Sequence, residues 1–359
     1  MSPALRVLAG SNAYRMLREE GLQASLFSLM VGASGGPKWL VLCGLDRALA
    51  GGWLAAPRNR RPLAMLGSSI GAWRLTCHAM SDPLAAFDRF ETEYLDQRYS
   101  SKPGPSEVSA VSQRILDAVL GDSGAREVLA HPAYRLAVVT ARSRHLAASE
   151  SRCVQALGLA AAGLANALHR RALGGFYRRA LFVDPRDLER YGRFPEIDGH
   201  AHALTPDNLA PVVLASGSIP LVLEGVREIP GAPAGVYRDG GITDYHFDLS
   251  FAPGDGLILY PHFYAELTPG WFDKALRWRR VRAAALANTV ILCPSRTFVE
   301  RLPGGRIPDR SDFVECDDDT RISRWQRIVG ESRRLGDEFL ALAESDSIAA
   351  RVEKIDAGP

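Results

Sequence analysis

Residues 62–80 read PLAMLGSSIGAWRLTCHAM, which is an apolar run, a glycine-bounded turn and a segment of helical composition. The run from Pro62 to Leu66 predicts a short buried strand, and Ala72 to Met80 predicts a helix. Between them, Gly67 to Gly71 fits the pattern GxSxG around Ser69. Small residues on both sides of a serine permit a sharp turn from strand to helix. The stretch therefore predicts a strand, turn and helix that lift the Ser69 hydroxyl above the edge of a sheet.

The same order of elements occurs just upstream. An apolar run from Leu26 to Val31 leads into a glycine-rich loop, and Trp39 to Ala50 again has helical composition. Two such units in succession predict an α/β fold, a three-layer sandwich with a mostly parallel sheet and helices on both faces. Further strands are predicted at 134–140, 180–183, 236–238, 256–260 and 289–293, with a last helix over about 321–344.

Composition narrows the class of protein. The 359 residues are 47% hydrophobic and 23% charged, as in globular proteins, and 43 Lys and Arg nearly balance 41 Asp and Glu. Such an even balance of positive and negative charges argues against nucleic acid as a partner. Five cysteines without a CxxC pair indicate reduced thiols. Since neither a secretory signal nor an apolar stretch of membrane-spanning length is visible, we expect a cytoplasmic protein, with peripheral attachment to a membrane as a further candidate.

Ser69 is the candidate nucleophile. The start of the helix after it would offer free N–H groups, that of Ile70 first, to a developing oxyanion. Gly67 and Gly71 would support the sharp turn. The alternative is a glycine-bounded turn that happens to contain two serines.

The upstream loop, Ser34-Gly35-Gly36-Pro37-Lys38, is a second candidate feature. A Walker phosphate loop has Gly before its Lys and Ser or Thr after it, whereas Pro37 and Trp39 stand there in this chain. An oxyanion loop fits better. Because Pro37 lacks an N–H, its donors would be Gly35, Gly36 or Lys38. The alternative is a tight loop that only packs the first helix on the sheet.

A serine nucleophile also needs a base, and Asp239-Gly240-Gly241 places a carboxylate on a tight turn after a short strand. Gly240 would let the backbone approach closely. Taken alone, Asp-Gly-Gly is more often a structural turn. The competing arrangement is a Ser-His-Asp triad of Ser69, Asp239 and either His246 or His262.

In this order, the three motifs resemble the patatin-like phospholipases. Ala215-Ser216-Gly217-Ser218-Ile219-Pro220 is similar to the Ala-Ser-x-x-x-Pro segment that precedes the Asp-Gly of that family. The resemblance covers about 26–80 and 208–245. It implies a Ser-Asp dyad without histidine, in which Ser69 is the nucleophile and Asp239 the base, with 34–38 as the oxyanion loop.

On this basis we expect one patatin-like domain over 1–359, with an inserted or lid-like helical portion at about 145–205 and a C-terminal extension from about 251 to 359. The expected activity is hydrolysis of lipid acyl esters without metal or other cofactor. Expected partners are a lipid or small acyl-ester substrate and, as a candidate, a membrane surface; nothing in the sequence indicates an oligomeric state. A non-catalytic lipid-binding or scaffold protein on the same fold is the alternative.

Two segments in the C-terminal part of the chain have compositions that predict their local structure. Trp271 to Arg282 interleaves aromatic and arginine residues, which predicts a helix that either packs on the domain or faces a lipid surface or partner. Pro303 to Asp319 is rich in acidic residues and predicts a solvated loop that leads into the last helix.

Overall fold

The computed structural model describes residues 2–55, 62–191, 197–249, 256–276, 278–345 and 347–355. Their strands are β1 (Leu5–Ala9), β2 (Phe27–Gly32), β3 (Leu63–Ser68), β4 (Tyr134–Ser143), β5 (Tyr177–Val183), β6 (Gly199–Ala203), β7 (Val226–Arg227), β8 (Val236–Asp239), β9 (Leu257–Pro261), β10 (Thr289–Pro294) and β11 (Val352–Lys354).

The α-helices are α1 (Ser11–Glu20), α2 (Cys43–Ala48), α3 (Ile70–His78), α4 (Pro83–Leu95), α5 (Pro105–Leu120), α6 (Gly124–Ala130), α7 (Arg152–Leu168), α8 (Leu209–Gly217), α9 (Arg296–Val299), α10 (Asp312–Glu315), α11 (Asp318–Ala343) and α12 (Ile348–Arg351). Short 3-10 segments include Gly36–Leu42, His145–Ala148, Arg170–Gly175, Gly240–Ile242 and Trp271–Ala275.

All of these strands join one mixed sheet, in the order β11-β1-β10-β9-β2-β3-β4-β5-β6, with β8 paired to β4 and β7 to β8. The centre, from β10 through β9, β2 and β3 to β4, is parallel throughout. Of its strands, β3, β9 and β10 are buried along their whole length, which is the pattern of a parallel sheet covered by helices on both faces. The predicted α/β class and three-layer architecture are confirmed.

The strands predicted from apolar runs are all present, with ends shifted by a few residues. Strand β1, which was not predicted, pairs with β10 in the antiparallel direction. The predicted C-terminal extension contributes β9 and β10, which lie between β1 and β2 in the middle of the sheet. Residues 251–255, at the start of that predicted part, lie outside the described residues.

In the predicted helical portion at 145–205, the helical part before the chain re-enters the sheet ends at Gly175, and one further 3-10 segment covers Pro185–Arg190. From Tyr177 onward the chain returns to the sheet, where β5 pairs with β4 and β6 with β5. Residues 192–196 lie outside the described part of the chain. The helical piece itself is α7 with a short 3-10 segment on either side.

The helix predicted over Trp271 to Arg282 is wrong for the residues described, which exclude 277. Trp271–Ala275 forms a 3-10 segment instead. Its Asp273 is fully buried and accepts hydrogen bonds from Asn166 and Arg170, at 2.7 and 2.6 Å. The hydrogen bonds donated to this buried carboxylate hold the backbone in the observed conformation. In a regular α-helix the side chain of Asp273 would point in another direction.

The edge of β4 that faces β3 has two partners in succession. Its first half, Tyr134 to Val139, pairs with β3 in the parallel direction, and its second half, from Thr140, pairs with β8 in the antiparallel direction. Strand β3 ends where Ser68 lies opposite Val139, and β8 ends where Asp239 lies opposite Thr140. The two strands therefore run toward each other along one edge, and the residues at their ends must meet.

Candidate active site

Ser69 lies in the turn between β3 and α3, with φ 54° and ψ −132°. A non-glycine residue adopts such a conformation only when its surroundings hold it there. Its backbone N–H donates to Ser216 Oγ at 2.8 Å, and that hydroxyl donates in turn to the Val139 carbonyl at 2.7 Å. Ser216 thus ties the turn to β4, and the predicted position of Ser69 between strand and helix is observed.

The two elbow glycines allow a close approach of backbone to backbone. A Cβ on Gly71 would lie 2.0 Å from the Gly32 carbonyl oxygen at the end of β2, so α3 could not start where it does. A Cβ on Gly67 would lie 2.5 Å from Cα of Ala72. Both positions therefore require glycine, as expected for residues that support the turn.

Ser69 and Asp239 meet where β3 and β8 end. The Ser69 hydroxyl donates to Asp239 Oδ2 at 2.8 Å, across 170 positions of sequence. The other carboxylate oxygen, Oδ1, accepts the N–H of Gly241 at 2.7 Å, which fixes the orientation of the carboxylate. A Cβ on Gly240 would lie 2.2 Å from the Val139 carbonyl oxygen, so this turn also requires glycine.

Asp239 is buried, and burial raises the pKa of its carboxyl above the ordinary value. The positive charge of Arg310 and the hydrogen bonds from Ser69 and Gly241 act in the opposite direction. A buried carboxylate bonded to a serine hydroxyl is a stronger base than an exposed one, and Arg310 helps to keep it ionised.

The glycine loop after β2 lies beside Ser69. Gly36 has φ +55°, in the left-handed region that favours glycine, and it lines the same cavity as Ser69 and Ile70. Within the described residues, no acceptor is found for the backbone N–H of Gly35, Gly36 or Ile70. Free N–H groups beside a nucleophile are what an oxyanion hole needs.

Lys38 differs from the other three predicted donors. Its N–H lies 3.5 Å from the Gly35 carbonyl oxygen, at the far limit of a hydrogen bond, and its ammonium group pairs with Asp309. The loop is further tied down by Ser34, whose hydroxyl donates to Ser68 Oγ at 3.0 Å. The structure thus places Lys38 in the support of the loop, with its polar groups already engaged.

The two histidines of the alternative triad are buried away from the serine. His246 Nδ1 accepts the N–H of Thr268 at 3.0 Å, and His262 Nδ1 lies 2.6 to 2.9 Å from backbone atoms of Tyr264. Burial lowers the pKa of His262 to about 3 and holds the pKa of His246 well below its usual range. Among the described residues, neither ring hydrogen-bonds to Ser69 or Asp239. The geometry favours the dyad over the triad.

A cavity of about 360 Å³ opens beside Ser69. This volume falls in the range of roughly 300 to 1,000 Å³ typical of small-molecule sites. Its walls are mainly apolar and come from α3, α5, α10 and the loop after α8, including Trp73, Val108, Ile115, Ile219, Val222, Leu223, Phe313 and Val314. Gly36, Ser69 and Ile70 line one end of it. An apolar chain with one reactive carbonyl would suit this shape.

Sequence reasoning missed Arg310. It lies between 303 and 319, where a solvated loop was predicted, but this segment folds back: Asp312 is fully buried and accepts the Trp325 indole N–H at 2.8 Å. As a result, Arg310 Nε lies 3.1 Å from where a Cβ on Gly36 would stand. Arg310 lines both the large cavity and a smaller one beside Asp239. No motif around it distinguishes it from other surface arginines.

The described residues were also considered as metal ligands and as membrane-spanning helices. No group of three or more His, Cys, Asp or Glu residues is arranged to hold a metal ion within the described ranges. In that same part of the chain, no helix is both long and apolar enough to cross a bilayer.

Comparison with known proteins gives little further information. No family model matches the chain, and no curated protein matches it. Among solved structures, human GIVD cytosolic phospholipase A2 is similar at 11% sequence identity and a TM-score of 0.37. The alignment covers 94% of this chain and 63% of that one, so the chain spans less than two thirds of the length of the phospholipase structure.

Proposed function

We propose that this chain is a serine acyl-ester hydrolase of the patatin-like type, acting on lipid esters through Ser69 and Asp239. The observation that carries the proposal is the 2.8 Å hydrogen bond from Ser69 to a buried carboxylate at the end of an apolar cavity. A binding or scaffold protein has no need of a base at hydrogen-bond distance from a strained serine.

In the first half of the reaction, Ser69 Oγ attacks the ester carbonyl carbon and its proton passes to Asp239 Oδ2. The carbonyl oxygen becomes an oxyanion, which accepts hydrogen bonds from the N–H groups of Gly36 and Ile70, with Gly35 beside them. When the C–O bond breaks, the proton on Asp239 goes to the leaving alcohol. The acyl group remains on Ser69.

In the second half, Asp239 takes a proton from water, and the resulting hydroxide attacks the acyl carbonyl. Collapse of the second tetrahedral intermediate releases the carboxylic acid and returns the proton to Ser69. Gly241 holds the same carboxylate oxygen through both halves, so that only Oδ2 exchanges protons. No step requires a histidine.

The substrate class follows from the cavity. Its mainly apolar wall suits an acyl chain, and the polar side chains of Gln97, Tyr99 and Ser112 in that wall already hydrogen-bond within the protein. Lipid esters therefore fit better than esters of small hydrophilic acids.

The test is reaction with a fluorophosphonate probe, followed by location of the adduct by mass spectrometry. We expect the adduct on Ser69, and none in Ser69→Ala. An adduct on another serine, or none in the folded wild-type protein, would refute the proposal.

A second experiment separates dyad from triad. Asp239→Asn preserves the size of the side chain but removes the base, so we expect kcat for a p-nitrophenyl ester to fall at least about a hundredfold. His246→Ala and His262→Ala serve as the comparison and should retain most of the turnover per folded molecule. A histidine variant as inactive as Asp239→Asn would reverse the assignment.

A further inference from the structure

One side of α7 carries an apolar face with no partner in the described part of the chain. Leu157, Leu164 and Leu168 are 65, 71 and 88% exposed, and their spacing of seven and four residues places them on one stripe of the helix. The opposite side of α7 is buried through Leu159 and Ala162. Isolated exposed leucines are common, but a stripe of them on one helix marks an interaction surface.

Trp278 extends this stripe. Its neighbour Arg279 donates to the Asn166 carbonyl at 2.6 Å and to the Ala167 carbonyl at 3.4 Å, at the C-terminal end of α7. Trp278 is 76% exposed and directly precedes Arg279, which is bonded to the same end of α7 that carries Leu168. We call Leu157, Leu164, Leu168 and Trp278 the α7 face.

The chain around the α7 face is positively charged. No Asp or Glu occurs from 151 to 183 or from 274 to 299, the two stretches of sequence that contain the residues of the α7 face. Exposed arginines lie in both segments, and none of the following forms an ion pair with a described acidic residue: Arg152, Arg171, Arg178, Arg280 and Arg282. Exposed leucine and tryptophan, together with exposed arginines in the same two stretches of sequence, match the two parts of an anionic lipid surface, acyl chains and headgroups.

Helix α7 is also joined to one wall of the cavity. On the inner side of α7, Gln155 accepts the N–H of Leu221 at 2.7 Å. Leu221 lies in the loop that supplies Ile219, Val222 and Leu223 to the cavity wall, and Val222 is itself 41% exposed. The side of α7 opposite its exposed leucines is therefore bonded to the loop that forms one wall of the cavity.

We infer that the α7 face docks on an anionic lipid bilayer, with the leucines and Trp278 entering the interface and the arginines contacting the headgroups. This inference extends the proposed function but depends on different residues. Docking needs neither Ser69 nor Asp239, so it can be tested in a protein that cannot hydrolyse lipid.

The experiment measures co-sedimentation of the full-length Ser69→Ala protein with vesicles of phosphatidylcholine alone or of phosphatidylcholine mixed with phosphatidylserine. We expect stronger binding to the mixed vesicles, weakening as salt is added. In the same background, Leu157→Ser/Leu164→Ser/Leu168→Ser should weaken binding more than tenfold, because each buried leucine contributes substantially to transfer from water. Arg171→Gln and Arg280→Gln should each weaken it about fivefold.

Matched controls are Leu84→Ser on α4 and Arg333→Gln on α11, which change an exposed leucine and an exposed arginine outside this surface. They should bind vesicles like the parent, and circular dichroism should show that all variants are folded.

Three results would overturn the inference. They are undiminished binding by the triple leucine variant, equal binding to both kinds of vesicle, and absence of vesicle binding. If absence of binding is accompanied by a dimer in light scattering that the triple variant abolishes, the α7 face instead binds a second copy of the chain. Vesicle binding by Ser69→Ala, combined with failure of the wild type to hydrolyse any ester, would leave the docking intact and reject only the hydrolase.

Discussion

Ser69 combines backbone strain with the hydroxyl group that the proposed reaction uses. Its φ of 54° is unfavourable for any side chain, and a conformation of this kind typically costs about 1–3 kcal/mol. The surrounding contacts hold the turn nonetheless: Ser216 binds its N–H, and Gly71 lets α3 start against the end of β2. The backbone conformation that presents the Ser69 hydroxyl for the proposed reaction therefore lowers the stability of the fold.

Two replacements of Ser69 separate the role of its hydroxyl from the cost of its backbone strain. Ser69→Ala and Ser69→Gly should both abolish turnover of a short p-nitrophenyl ester, but only Ser69→Gly relieves the strain, so its melting temperature should exceed that of Ser69→Ala. The measurements are ester turnover and thermal unfolding of both variants. Wild-type turnover by well-folded Ser69→Ala would show that another residue is the nucleophile, and equal melting temperatures would show that the turn is not strained.

At the scale of elements, the site depends on how two loops and the helices that follow them are held together. The glycine loop leads through the 3-10 segment Gly36–Leu42 into α2, and Ser69 leads into α3. A buried ion pair joins these helices: Arg74 of α3 binds Asp46 of α2 with two hydrogen bonds of 2.7 Å. Although burial acts the other way, Arg74 and His78 together hold the pKa of Asp46 below its usual range.

Breaking this pair should unfold the protein more easily. Asp46→Asn leaves the buried Arg74 guanidinium without a counter-charge, so we expect a loss of about 3–5 kcal/mol in the free energy of unfolding, measured in urea. The paired variant Asp46→Leu/Arg74→Met removes both charges and should recover part of the loss. A loss below about 1 kcal/mol in Asp46→Asn would mean that the pair does not hold the two helices together.

The glycine loop offers a second test at this scale. In Gly36→Val a branched side chain would occupy a left-handed position beside Ser69, displacing an oxyanion donor and crowding the substrate. We expect kcat to fall about a hundredfold or more, with a smaller change in KM.

Gly121→Val is the matched control, since Gly121 has nearly the same φ, 54°, and no atom within 4 Å of its added Cβ. It should be destabilised by similar backbone strain but keep its turnover. Normal turnover in stable Gly36→Val would instead show that the loop only packs the first helix.

At the scale of the whole molecule, the charge state of the dyad depends on parts of the chain that are far apart. The end of β8 supplies Asp239, and the segment before α10 supplies Arg310. Burial raises the pKa of Asp239, and Arg310 partly offsets that rise. Protonation of Asp239 removes the base, so activity should decline as pH falls through a value above the ordinary aspartate pKa of about 3.9.

Removing Arg310 should make that decline begin at higher pH. Without the positive charge, the carboxylate form of Asp239 is less stabilised and its pKa rises further. We therefore expect the acid side of the pH profile of kcat/KM to move to higher pH in Arg310→Met and to stay nearly in place in Arg310→Lys. An unchanged profile in Arg310→Met, or a shift to lower pH, would contradict this role.

The sequence by itself determined the local geometry of the site. A strand, a glycine-bounded turn and a helix place Ser69 at a sheet edge, and the loop at Ser34 to Lys38 repeats the pattern, because backbone conformation over five or six residues depends mainly on those residues. The α/β class followed from the same two units. The positions of Gly67, Gly71 and Gly240 could be predicted for the same reason.

Only the tertiary structure decided which residues meet. The contact between Ser69 and Asp239 depends on β4 pairing first with β3 and then with β8, and no short motif contains that register. Arg310 reaches Gly36 only because the segment around it folds back with Asp312 buried. The acidic residues of that segment had instead predicted a solvated loop. Long-range pairing depends on burial and hydrogen-bond satisfaction summed over the whole chain, which a local pattern does not record.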